Sequence, residues 1–350
     1  MAILGILIVF SIVIFVHEFG HFWTAKKLGI SVERFSFGFG PKIFSWKRGE
    51  TEYTICPILF GGYVKLAGEE GISKGTPDEY SSKPPGYRAL VLFSGAFNNL
   101  VIGYLFIIPA LILGIVTYNG TTIGGVVKNY PAQKAGLKAG DKIISIDGKN
   151  TNQWLEILLN VTKYSNKYLG KPLDIKVQRD NLIKTFYITP LLYKKGKSIL
   201  RGEKRYIIGI YPQEKVVKYN FFQAIPKAFY YYGDMLSKIF ISLQLLITGQ
   251  VGINELSGPV GIAKLSGEAI SLGFATFCYF LAFININLGI FNLLPYPVLD
   301  GGHIAGVLGE KILRRKPHKK ILEIVNTGAA ILIILFVLYI TYFDILRIIK

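Results

Sequence analysis

Four stretches of the chain stay apolar for roughly the ~20 residues that a helix needs to cross a bilayer. They run from Ala2 to about Ala25, Leu90 to Val116, Leu272 to Leu294 and Gly328 to about Leu346. Such runs predict membrane-spanning helices, because a helix satisfies all its own backbone polar groups inside hydrocarbon. Between the second and third runs the pattern changes. Val126-Val127, Lys142 to Ile146, Leu173 to Val177 and Ile183 to Ile188 predict strands, with turns at Asp147-Gly148 and Asp180-Asn181. Asn152 to Lys163 predicts a helix with Asn152 or Thr151 as its cap. Residues 28–88 mix Gly, Phe and Pro, and within them Glu52 to Leu66 predicts two short strands around a turn at Gly61-Gly62. Phe221, Phe222, Ile225, Phe229 and Tyr232 lie on one helical stripe, and Ile239 to Ile247 is apolar but too short to span. That stretch predicts amphipathic helices at the membrane surface. The expected fold class is a polytopic α-helical membrane protein with four transmembrane helices, a membrane-associated β-hairpin and one inserted α/β domain. Its expected parts are 1–116, 117–212, 213–270 and 271–350.

Composition agrees with a membrane protein: 51% of the 350 residues are hydrophobic and 18% are charged. The formal charge of +18 invites a nucleic-acid reading. The basic residues are spread through loops with no nucleic-acid motif, so no nucleic-acid partner is expected and membrane lipids are. Lys26-Lys27 and the cluster Lys311, Arg314, Arg315, Lys316, Lys319 and Lys320 mark the cytoplasmic side. His318, within that cluster, reads as a solvated residue. Cys56 and Cys278 show neither a disulfide framework nor metal-ligand spacing. The first apolar segment has no basic n-region and no small-residue cleavage site, so it is expected to be retained.

Polar residues inside the first span carry the chemistry. His17-Glu18-Phe19-Gly20-His21 is an H-E-x-x-H pattern, which on a helix stacks both imidazoles on one face. Two imidazoles suit zinc, with Glu18 beside them as general base. About 15 residues precede His17, or roughly 22 Å of helix, which sets the pair past mid-membrane toward Lys26. Ionisable groups at that depth mark a functional site by default. A second polar island, Asn292-Leu293-Leu294-Pro295-Tyr296-Pro297-Val298-Leu299-Asp300-Gly301-Gly302-His303, follows the third span. If spans one and three run in the same direction, Asp300 and His303 lie on the side of His21, and either could supply a third ligand. Asn98 and Asn99, near the start of the second span, call for protein partners rather than lipid.

HEFGH in the first span and NLLPYPVLDGGH after the third resemble the site-2 protease family of intramembrane zinc metalloproteases, on the side of the bacterial regulator-of-sigma-E proteases. The run from Pro131 to Asp141 is similar to a bacterial PDZ domain. The resemblance implies His17, His21 and Asp300 as ligands of Zn2+ and Glu18 as the base. It implies that Asn292 helps hold substrate, that Asn99, which matches a family asparagine, is also a substrate-binding residue, and that the hairpin bearing Gly61, Gly62, Tyr63 and Val64 dips into the membrane as a substrate-binding edge. Ile123, Gly124, Gly125 and Val126 would line a PDZ-like peptide groove. Gly95-Ala96 stands where the family has Gly-Pro. The implied function is regulated intramembrane proteolysis in the bacterial inner membrane, with the PDZ-like domain outside the cytoplasm. The substrates would be single-pass membrane proteins, such as pre-trimmed anti-sigma factor-like proteins or signal-peptide remnants. The alternative is a non-catalytic membrane PDZ scaffold with a relic metal site.

Overall fold

The computed structural model describes residues 2–69, 75–168, 171–193, 204–313 and 319–349. Arg314, Arg315, Lys316 and His318 of the basic cluster lie outside the described residues. The chain divides into one unit of residues 1–113, 219–239 and 257–350, and another of 114–218 and 240–256.

The first unit opens with α1 (Ala2–Lys27), followed by β1 (Val32–Phe39), β2 (Phe44–Arg48), β3 (Thr51–Ile55) and β4 (Ile58–Leu66), and then α2 (Pro85–Leu113). The four strands form one sheet in the order β2-β3-β1-β4. The expected hairpin is therefore corrected. β1 lies between β3 and β4, parallel to β3 through Phe35↔Tyr53 and antiparallel to β4 through Phe35↔Val64. Gly61 and Gly62 sit inside β4, where a Cβ at Gly61 would come within 1.9 Å of the Phe39 ring. At Gly62 it would come within 2.7 Å of the Ser36 carbonyl. These glycines permit close approach of neighbours rather than a turn.

The other unit is a sheet ordered β12-β5-β6-β8-β9. In chain order it contains β5 (Ile115–Val126), α3 (Pro131–Lys134), β6 (Lys142–Ile146), β7 (Lys149–Asn150), α4 (Trp154–Tyr168), β8 (Leu173–Arg179), β9 (Leu182–Ile188), β10 (Leu191–Leu192), β11 (Tyr206–Ile207) and β12 (Ile210–Val217). Ile123, Ile143, Ile157, Leu173, Ile175 and Ile188 meet in its core. Asp180 and Asn181 both have positive φ, the turn type that joins β8 to β9 without splaying them. α4 starts at Trp154 rather than Asn152, because the Glu156 carboxylate accepts the N–H groups of Asn152 and Gln153. β12 pairs with β5 as far as Ile115↔Val217, so the unit extends beyond the expected 117–212 at both ends. The same pairing corrects the peptide groove. Val126 faces Ile210, Gly125 faces Tyr211 and Ile123 faces Pro212. On its other side Ile123 exchanges hydrogen bonds with Gly140 and Asp141. Ile123 is thus bonded on both sides, and one edge of Gly125 and Val126 is taken by β12.

The chain continues through α5 (Phe221–Ile247), α6 (Pro259–Ser271), α7 (Phe274–Asn292), α8 (Asp300–Leu313) and α9 (Lys319–Ile349). Among the described residues, four helices are long and apolar enough to cross a membrane: Ala2–Lys27, Pro85–Leu113, Phe274–Asn292 and Lys320–Ile349. The second begins before Leu90 and stops at Leu113, because Gly114 takes φ +103 and Ile115 enters β5. Asn98 and Asn99 are consequently near its middle. The region 213–270 is not all helix, since its first residues belong to β12. α5 is one continuous amphipathic helix, burying Ala224, Ala228, Tyr231, Met235 and Ile239 at helical spacing. In α9, Asp344 accepts the Gly261 N–H at 2.7 Å, placing a carboxylate at the positive end of α6.

Asp141 locks the sheet unit. It is 1% exposed, and its oxygens accept from Arg179 Nε at 2.6 Å and from the Lys138 N–H at 2.9 Å. Burial by itself would raise its carboxyl, but the Arg179 guanidinium and the Lys138 N–H hold it below the usual carboxylate range. A depressed folded pKa contributes stability above the unfolded value and loses it as pH falls through the folded one. Asp141→Asn should therefore destabilise this unit by about 3 kcal/mol at neutral pH. Hydrogen exchange of the β6 and β8 amides checks this, and the gap from the unsubstituted protein should close on acidification below about pH 4.

Candidate metal centre

α1 and α2 approach closely because both present glycine at the crossing. A Cβ on Gly20 would lie 2.4 Å from the Ser94 carbonyl, and one on Gly95 would lie 2.3 Å from His21 Nε2. Ser94 Oγ donates to the Gly20 carbonyl at 2.9 Å, and the Asn98 amide donates to the Val16 carbonyl. Small residues and side-chain hydrogen bonds to backbone are the adhesive available between helices in lipid. Ala96 is fully buried without interrupting α2.

This crossing sets both imidazoles. His21 Nδ1 lies 2.8 Å from the Val91 carbonyl, which can only accept, so the proton sits on Nδ1 and Nε2 offers a lone pair. His17 Nδ1 lies 3.4 Å from the side-chain amides of Asn99 and Asn292. Asp300 arrives from the other polar island as the first residue of α8. The loop before it folds tightly onto the helix start, so a Cβ on Gly301 would lie 2.3 Å from the Leu293 carbonyl. On Gly302 it would lie 2.0 Å from the Tyr296 carbonyl. The glycines of LDGG are thus steric requirements of the bend.

The three donor atoms converge. His17 Nε2 and His21 Nε2 are 3.2 Å apart, and Asp300 Oδ2 is 3.3 Å from the first and 3.6 Å from the second. Ligands about 2.0–2.1 Å from a tetrahedral zinc are separated by about 3.3–3.4 Å. Asp300 Oδ2 is also buried with no hydrogen-bond partner, an arrangement costly for a carboxylate unless a cation faces it. The residues therefore fit a zinc ion, and His17, His21 and Asp300 form the group able to hold a metal ion among the described residues. His303, the rival ligand, lies outside this group.

Glu18 projects beside the group against β4: a Cβ on Gly62 would be in ordinary contact with Glu18 Cγ, and the Val64 backbone hydrogen-bonds its carboxylate. β4 is the outermost strand of its sheet, so β1 is its one strand neighbour in that sheet, and Glu18 meets it at Gly62. Tyr63 and Val64 pair with Ser36 and Phe35 of β1. Asn292 is half-buried at the end of α7. Asn99 is 0% exposed, so it presents no surface to a substrate and touches His17 instead. Sequence reasoning missed Val91, Ser94 and Gly95 as supports of the site. The available signal was the small pair Ser94-Gly95 on an apolar helix that also carries two asparagines.

Apolar helices that bring two histidines, an aspartate and a neighbouring glutamate to one point define a membrane metalloprotease. The sequence pattern of Peptidase family M50 matches residues 5–336, and the chain belongs to that family. A protein of Clostridium perfringens that carries a zinc-metalloprotease name is 35% identical over 350 residues, covering 99% of both chains. Metalloprotease MmpA of Caulobacter vibrioides is 30% identical, covering 89% of this chain and 87% of its own. Zinc metalloprotease RasP of Shouchella clausii is 28% identical, covering 90% and 91%. A solved PDZ domain of an SdrC-like protein from Listeria monocytogenes aligns with 27% of this chain and 90% of its own, at 26% identity and TM-score 0.22.

Gly95 gives the test of this geometry. Gly95→Ala places a methyl group where the two imidazoles converge, so zinc affinity should fall at least ~10-fold, as when a ligand's immediate support is lost. Zinc content of the purified protein, set beside helical content by circular dichroism, checks it.

Proposed function

We propose that this protein is an intramembrane zinc endopeptidase that cleaves within the transmembrane segments of single-pass membrane proteins. Pre-trimmed anti-sigma factor-like proteins or signal-peptide remnants are the substrate type. The observation that carries the reading is the tetrahedral spacing of His17, His21 and Asp300 with Glu18 beside them, all set among apolar helices. Zinc, when bound there, supplies a Lewis acid that polarises the scissile carbonyl and acidifies water. Glu18 takes the proton of the attacking water and returns it to the leaving amine.

A peptide bond in a membrane helix is hydrogen-bonded and covered, so the substrate has to unwind before cleavage. The outer strand β4, which carries Gly61, Gly62, Tyr63 and Val64, offers replacement backbone bonds to an extended segment once the substrate takes the place of Glu18 at the Val64 backbone. Asn292 holds the substrate beside His17. The protein lies in the bacterial cytoplasmic membrane with Lys26-Lys27 on the cytoplasmic side, which puts the sheet unit inserted between spans two and three outside. From there the unit acts as a size filter, obstructing substrates with bulky external portions.

Two outcomes test these assignments. Glu18→Gln should keep near-stoichiometric zinc and lose cleavage of a transmembrane peptide by at least ~100-fold, the scale of general-base catalysis. Full activity in that variant would remove Glu18 from the mechanism. The filter is tested by excising residues 119–213. Tyr118 pairs with Glu214, so an Asn-Gly turn can close the remaining strand pair. The shortened protein should retain zinc and cleave trimmed substrates, and should also cleave an untrimmed one that the intact protein refuses. Loss of trimmed-substrate cleavage with zinc retained would make the unit a recruiter.

A further inference from the structure

The α2–α7 interface contains two polar groups that the metal centre as described leaves unexplained. Asn99 on α2 and Asn285 on α7 are both 0% exposed, and the side-chain carbonyl oxygen of each is buried without a hydrogen-bond partner. They share one layer of the interface. Gly289 packs against Leu100 and the Ala96 carbonyl, while Gly103 packs against Ile286 and the Ala282 carbonyl. The two helices are therefore antiparallel, and midway between those contacts lie Asn99 on one and Asn285 on the other. The Asn285 amino group already donates to the Leu281 carbonyl at 2.8 Å, which leaves its oxygen as the unused atom.

The contact between Asn99 and His17 has a matching defect. If His17 offers Nε2 to a cation, its proton sits on Nδ1. The Nδ1 atom faces the amino nitrogens of Asn99 and Asn292, each 3.4 Å away, and the Gly95 carbonyl is a hydrogen-bond partner of the ring. The two ends of an asparagine amide have the same shape, and hydrogen bonding decides which way it points. Turning the Asn99 amide over brings its carbonyl to the His17 N–H and its amino group toward the Asn285 carbonyl. One rotation then satisfies both buried oxygens. Turning Asn292 instead relieves neither of them.

We propose that Asn285 is a positioning residue of the metal centre: its carbonyl accepts from the Asn99 amino group, and the Asn99 carbonyl accepts the His17 Nδ1–H. The proposal rests on the reading of His17 as a ligand through Nε2. The relay fixes the tautomer and ring plane of His17 from α7, as the Val91 carbonyl fixes those of His21 from α2. It leaves Asn292 free for a substrate. It also accounts for two amides held in an interface otherwise closed by glycine and apolar contacts.

The experiment measures zinc affinity by chelator competition on the full chain in detergent, with the visible spectrum of the cobalt-substituted protein as a second readout. Asn285→Leu and Asn99→Leu should each weaken zinc about 10-fold, the lower range for supports behind a ligand. The double variant should be no weaker than Asn99→Leu alone, because Asn285 acts only through Asn99. Asn285→Asp keeps the acceptor oxygen and should stay near the unsubstituted affinity and cobalt spectrum. Unchanged affinity in Asn285→Leu, or additive losses in the double variant, overturns the relay. If the leucine variants do not fold, nuclear Overhauser contacts in the unsubstituted protein decide. Asn99 amino protons near Asn285 support the relay, and the same protons near the His17 ring overturn it. Zinc binding that survives His17→Ala would instead overturn the ligand reading on which the relay stands.

Discussion

Three lone pairs facing one point, inside a pair of apolar helices, is the constraint on which the rest of the first unit depends. His17, His21 and Asp300 would repel one another in that setting, and water is too scarce there to separate them. A divalent cation bound there would turn the repulsion into coordination, and the surrounding structure resists relaxation into any other arrangement. Gly20 and Gly95 bring α1 and α2 close enough for Val91 and Ser94 to reach the first helix. The bend before α8 is tight enough that only glycine fits at 301 and 302. A structure that must hold lone pairs in opposition needs rigid neighbours, and each of these contacts has backbone on at least one side.

The same economy places Glu18, the proposed general base. Glu18 is fixed on α1 by being next to His17, so β4 has to come to it. Gly62 permits that approach, and β4 is the outer strand of its sheet. Opening a hydrogen-bonded substrate helix and hydrolysing its amide are different problems. In the proposed reading one strand, β4, and one glutamate, Glu18, meet at Gly62 to serve both. The sheet unit of residues 114–218 has its own isoleucine-rich core and its own Asp141–Arg179 lock, so its stability is local to it. Its β5 edge is used internally by β12, which removes the simplest strand-addition site.

Much of this was legible in the sequence because the signals were local. Spans follow from runs of apolar residues, the turn at Asp180-Asn181 from two residues that tolerate positive φ, and the shared face of His17 and His21 from helical spacing. Misreadings came where glycine had two meanings. Gly61-Gly62 has the composition of a turn, yet it serves a close approach between strands, and composition is the same in both cases. The order β2-β3-β1-β4 places Thr51–Ile55 and Ile58–Leu66 on opposite sides of β1, which no local pattern encodes. Asn99 was placed at the substrate by resemblance and is buried against His17.

By itself the sequence determined the number of spanning helices, the location of the two polar islands and the residue types able to hold zinc, because each depends on hydrophobic length, helical period or donor chemistry. The tertiary structure decided that Asp300 rather than His303 meets the histidines, since that depends on how sharply the chain turns through Tyr296 to Leu299. It also decided which carbonyl fixes His21, which strand meets Glu18 and which asparagines share a layer between α2 and α7. Those outcomes depend on atoms far apart in sequence coming within a few ångströms, and only the packing of backbones at Gly20, Gly95, Gly103 and Gly289 sets those distances.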